Sequence, residues 1–71
     1  MEQRDLAIIH GKLALFHLKL GEPAQALSEL RTAREIIAAL VAGEPDNAQW
    51  TKDLAIFDAE IARLERQTRE N

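Results

Sequence analysis

The chain has 71 residues, twelve acidic against nine basic side chains for a formal charge of −3, and no cysteine. That length excludes doubly wound sheets, barrels and two-domain enzymes. The missing cysteines exclude a disulfide framework, a thiolate metal site and a cysteine nucleophile, and the acidic balance has the wrong sign for a dedicated nucleic-acid binder. Apolar residues make up 46% and charged residues 30%, so the composition is not that of a disordered chain. No run of eighteen apolar residues occurs, and the charged start Met1-Glu2-Gln3-Arg4-Asp5 lacks a signal-peptide core, so a cytoplasmic, non-membrane protein is expected. Size sets a stability problem. A chain this short buries only about 60% of its unfolded surface, and its core supplies ~3–5 kcal/mol without staples. Efficient helix packing, self-association or neighbours in a longer chain must make up the difference.

Twelve alanines and ten leucines against three glycines and two prolines predict helix. Two breaker clusters, Gly21 with Pro23 and Gly43 with Pro45, divide the chain into three. The first predicted helix covers about 5–20, with Leu6, Ile9, Leu13, Phe16 and Leu20 recurring at alternating steps of three and four along one face. Gly21 suits its C-terminal cap. The second covers about 23–42 and opens on Pro23, whose missing N–H has no partner in a first helical turn. Ala26, Leu30, Ala33, Ile37 and Leu40 form its apolar face, Arg31 and Glu35 are placed to pair at i,i+4, and Gly43 ends it. The third covers about 47–68. Asp46 or Asn47 is its N-cap, with Asp46 and Gln49 as a weak capping box, and Leu54, Phe57, Ile61 and Leu64 form its apolar face. Short connections between long helices predict an all-α, up-down-up, three-helix arrangement.

An internal repeat links the outer two helices. Arg4-Asp5-Leu6-Ala7-Ile8-Ile9 matches Lys52-Asp53-Leu54-Ala55-Ile56-Phe57, forty-eight positions on, and the register continues from Leu13 to Ile61, Ala14 to Ala62 and Phe16 to Leu64. Such a period is the sequence sign of a helical repeat. Leu13-Ala14, then Gly21, Ala26, Leu30 and Ala33, resemble the tetratricopeptide repeat family over about residues 10–36. The resemblance implies one helical hairpin of that type, with the third helix as the capping start of a following unit. The sequence departs from the family pattern at His10 and His17, where aromatic residues are usual. It departs also at Ala38, where a proline usually ends the second helix; alanine there extends it and lengthens the period.

The first helix is apolar nearly all round, which marks a helix that is buried or awaits a partner. Besides the Leu6–Leu20 stripe, Ile8, Gly11, Leu15 and Leu18 fill a second sector. The resemblance implies that this sector faces a concave surface that holds peptides. Ile8, Gly11, Leu15 and Leu18 would form an apolar groove with a small floor at Gly11 and a basic edge at Lys12 and Lys19. The corresponding third-helix positions, Ile56, Ala59, Arg63 and Arg66, turn polar, as a terminal helix should.

Catalytic chemistry has little support. His10 and His17 lie nearly two turns apart, ~10 Å along the axis, too far for chelation on one helix. Asp53, Asp58 and Glu60 read as a solvated helix face, Arg63, Arg66 and Arg69 are offset by nearby glutamates, and Trp50 is expected to pack over the second connection. No phosphate-binding glycine loop, dinucleotide fingerprint or zinc-protease motif occurs. The expectation is therefore a non-enzymatic protein–protein interaction module with no cofactor, no metal and no catalytic residue. Its partners would be a second copy of itself, as a homo-oligomer, or a helical or extended peptide segment, held by Ile8, Gly11, Lys12, Leu15, Leu18 and Lys19. Leu15→Glu is expected to abolish association while leaving helicity intact. The alternatives are a segment of a longer repeat array and, remotely, a small metal-binding protein.

Overall fold

The computed structural model describes residues 3–70, with the side chain of Glu70 left out of account. It holds three helices: α1 (Gln3–Lys19), α2 (Pro23–Gly43) and α3 (Ala48–Glu70). The boundaries fall where the breakers put them. After Lys19 the chain reverses through Gly21, at φ +73°, a left-handed conformation that glycine adopts without a Cβ clash. The Gly21 N–H donates to the Leu18 carbonyl and the Glu22 N–H to the His17 carbonyl, closing α1 in a Schellman motif. Gly21→Ala should therefore lower the unfolding free energy by about 1–2 kcal/mol. Gly43→Ala should not, because Gly43 has no positive φ and a Cβ there meets nothing within 4 Å. Urea unfolding of the two variants checks the contrast. The third helix starts from Asn47 rather than Asp46: its Oδ1 accepts the Trp50 N–H at 3.1 Å, the N-cap geometry. The Trp50 side chain is half-buried.

All neighbours are antiparallel. The start of α1 meets the end of α2 through Ala7, Ala33 and Ile37, and its later turns meet the start of α2 through Ala14, Ala26 and Leu30. Leu64, late in α3, packs on Leu27 and Leu30, and Leu54, early in α3, packs beside Ile37 and Leu40. The order is thus up-down-up, but the bundle is open. The second helix packs against both others, whereas among the described residues α1 and α3 meet through side chains, as at Arg4–Asp53 (2.9 Å) and where the Phe57 ring reaches Gly11. The molecule is correspondingly flat, 39 × 24 × 13 Å.

The α1·α2 interface is centred on small residues, flanked by Leu30 and Ile37. Ala7 and Ala14 sit seven apart on α1, Ala26 and Ala33 seven apart on α2, and all four are buried. Two alanine ridges let the backbones approach closely, because the side chains at the contact set the helix-packing distance. Ile37 is the one large side chain among the described residues that is wholly buried; its burial contributes about 1.5–3 kcal/mol.

Of the apolar sectors of α1, the Leu6–Leu20 stripe is not the one that meets α2. Leu6, Ile9, Leu13, Phe16 and Leu20 do not turn inward: they are between 39% and 57% exposed. Their repeat equivalents on α3 do turn inward, with Leu64 only 5% exposed and Leu54, Phe57 and Ile61 packed against the α2 clusters. One stripe, carried twice in the sequence, is covered by α2 in its second occurrence and left open in its first. At about 100° per residue the α1 stripe lies well over a quarter-turn from the alanine ridge, so α1 cannot present both to α2.

Two of the acidic residues read as a solvated face, Asp53 and Asp58, also tie helices together. Asp53 holds Arg4 of α1 and Asp58 holds Arg34 of α2, while Glu60 pairs with Arg63 on its own helix. Arg31 reaches Glu65 of α3 at 2.7 Å rather than Glu35. These pairs are mostly exposed and each contributes under about 1 kcal/mol; their effect is to fix register.

Candidate interaction groove

The alanine ridge determines what else α1 shows. With Ala7 and Ala14 turned to α2, the residues on one side of that ridge face α3, and on the other side His10 and His17 border α2 before the open Leu6–Leu20 stripe. On the α3 side the two outer helices, running parallel, leave a groove of about 420 Å³. Ile8, Gly11, Lys12, Ala14, Leu15 and Leu18 form its α1 wall, Leu30 of α2 lies at its base, and Ile56, Phe57, Glu60 and Arg63 form its α3 wall. Leu15 is 59% and Ile56 52% exposed, so the two walls carry opposed apolar side chains open to solvent.

Five of the six residues assigned from sequence, Ile8, Gly11, Lys12, Leu15 and Leu18, come together in this groove. Lys19 does not line it and lies exposed at the last turn of α1. Nor is Gly11 an open floor. A Cβ there would lie 3.3 Å from Cε1 of Phe57, so the glycine is a seat that lets the α3 ring close against α1. The α3 wall is what sequence reading left incomplete. Ile56 and Arg63 were legible as repeat equivalents of groove positions. Phe57 and Glu60 were not, because the inward stripe and the groove share the Phe57 edge only once the helices are packed. Of the other equivalents, Ala59 and Arg66 are exposed and outside the groove lining.

Charge is asymmetric along the rims. The α1 rim carries Lys12, while on the α3 rim Glu60 and Arg63 pair with each other across one turn. Each histidine is engaged at the α1–α2 boundary: His10 Nδ1 lies 3.2 Å from a Glu29 carboxylate oxygen, and His17 Nδ1 lies 2.8 Å from Glu22. These contacts place the imidazoles on the outer edge of the α1·α2 interface, away from the groove. Among the described residues no group of three or more histidine or acidic side chains converges on a point that could hold a metal ion, and no helix is long and apolar enough to cross a membrane.

The groove is therefore a surface that can take up an apolar ridge. Searched against models of protein families, against curated proteins and against solved structures, the chain matches none.

Proposed function

We propose that the chain is a protein–protein interaction module, binding rather than catalytic, whose α1–α3 groove takes up an apolar helical or extended segment of a protein partner. The observation that carries this reading is the convergence of Ile8, Leu15 and Leu18 on one wall and Ile56 on the other around an open cleft. An amphipathic helix seats its i, i+3/i+4, i+7 residues in such a cleft. Lys12 on the rim biases orientation and encounter toward segments with acidic residues. The resemblance to tetratricopeptide repeats agrees with this use of the concave side of a first helix, and a cytoplasmic setting goes with it.

Selection of peptides from a display library against the intact chain tests the proposal. The peptides recovered should carry apolar residues at helical spacing with nearby acids, and should bind Leu15→Glu at least ten-fold more weakly than the unaltered chain, with the helical circular dichroism of the two chains alike. Recovered peptides that bind both chains equally, or a library that yields no binder, would contradict it.

A further inference from the structure

The groove leaves the other flank of α1 unused. Leu6, Ile9, Leu13, Phe16 and Leu20 follow a strict alternation of three and four residues, the a/d spacing of a helix–helix seam. Ile9, Leu13 and Phe16 border a shallow depression there, with Lys12 on the crest that separates it from the groove. On α3 the equivalent stripe is the one that an antiparallel helix covers. We infer that in solution the α1 stripe is covered by the same stripe of a second copy of this chain, the two α1 helices running antiparallel about a two-fold axis.

Three observations favour a second copy as the occupant. The first is area. The five side chains expose on the order of 400 Å² between them, as much as the largest apolar patch of an ordinary monomer. Two such faces with their flanks approach the roughly 1,000 Å² that a specific interface clears. The second is charge. The row bordering the stripe on the Lys12 side reads Asp5, Lys12, Lys19 at steps of seven. Antiparallel pairing brings Asp5 of one protomer to the Lys19 end of its partner at both extremities, at the cost of one central meeting of two Lys12 side chains. Parallel pairing would set Lys12 toward the His17 edge and Asp5 toward His10, whose ring nitrogen already meets Glu29. The third is symmetry. A two-fold interface uses the same patch on both subunits, and a heptad-spaced stripe is complementary to itself when reversed. The groove lies on the other side of the crest and stays open, so the dimer would present two grooves.

Light-scattering mass at several concentrations, on the unaltered chain and three sets of variants, tests this. Self-association is thereby assigned to the stripe and not to the groove residues that the sequence alone suggests, so the unaltered chain and Leu15→Glu should both run at twice the 8.0 kDa chain mass, Leu15→Glu losing only peptide binding. Leu13→Glu and, as a second probe of the same seam, Phe16→Gln should run at 8.0 kDa with circular dichroism unchanged, since the two residues are already 42% and 56% exposed in the protomer. Asp5→Lys should weaken the dimer at least several-fold, and the exchange Asp5→Lys with Lys19→Asp should restore it. An unaltered chain that stays at 8.0 kDa overturns the inference, and would assign the stripe to another helix, from a different protein or from preceding sequence. A dimer dissociated by Leu15→Glu and not by Leu13→Glu overturns it by placing self-association in the groove. A dimer indifferent to Asp5→Lys overturns the antiparallel arrangement. Because peptide binding reads the groove and mass reads the stripe, the two proposals fail separately.

Discussion

Ile37→Ala should leave the chain largely unfolded at room temperature. Ile37 is wholly buried, packs with Ala7 of α1 and Ala33 of its own helix, and has Leu54 and Phe57 of α3 packed against the same cluster. It therefore joins all three helices at one end of the bundle, as Leu30 does with Ala14 and Leu64 at the other. Truncating a buried isoleucine costs about 2–5 kcal/mol, the transfer term plus the cavity left behind. A core of this size supplies only ~3–5 kcal/mol, so the loss is comparable to the whole. Leu20→Ala removes as much hydrocarbon from a residue that is 57% exposed, and should change stability by about 0.5 kcal/mol or less. Urea unfolding followed by circular dichroism, at a concentration where association is absent, separates the two. An Ile37→Ala chain that unfolds at nearly the same urea concentration as Leu20→Ala would mean that the helices do not converge on Ile37.

Ala33→Leu should be nearly as damaging, for the opposite reason. Ala33 is 0% exposed and sits against Ala7, in an interface whose closeness depends on side chains no larger than a methyl. A leucine there has no void to occupy. It must push α1 away from α2 or take a strained rotamer, which costs about 1–3 kcal/mol and sometimes more. Ala39→Leu is the control, on the exposed side of the same helix with the same change in volume and almost no change in helix propensity. The midpoint of urea unfolding should fall sharply for Ala33→Leu and hardly move for Ala39→Leu. The substitution also bears on function, because any outward shift of α1 moves Ile8, Leu15 and Leu18 relative to Ile56 across the groove.

The three helices and their ends were legible because the breakers are concentrated. Gly21, Gly43 and Pro45 interrupt a chain otherwise rich in alanine and leucine, and the observed ends lie within two residues of those expected. The packing of α1 was not. Periodicity marks an apolar stripe but does not say which of two sectors meets a neighbour, and the large residues Leu6, Ile9, Leu13, Phe16 and Leu20 dominate the pattern by size alone. The signal that could have decided it is the pair of seven-residue alanine spacings, Ala7/Ala14 and Ala26/Ala33, one on each of two helices in succession. Small residues at matching intervals on adjacent helices mark a close crossing, and a close crossing excludes the bulky stripe from the same face. The α1 wall of the groove followed from helical spacing together with the family resemblance. The α3 wall depended on the parallel setting of α1 and α3, which α2 imposes from outside. Cross-helix pairs such as Arg4–Asp53 and Arg31–Glu65 were hidden for the same reason: they depend on register between helices, whereas sequence spacing suggests only partners on one helix.

The proposed function rests on the same division of α1. One ridge holds the hairpin together, and the apolar residues on either side of it stay partly open to solvent. The groove flank carries the central claim, and mapping a selected peptide on the isotope-labelled chain by amide chemical shifts addresses it most directly. The account predicts that the largest changes fall at Ile8, Gly11, Leu15, Leu18 and Ile56, with Leu6, Ile9, Leu13 and Phe16 little affected. Changes confined to that second set, or to the outer side of α2, would contradict it.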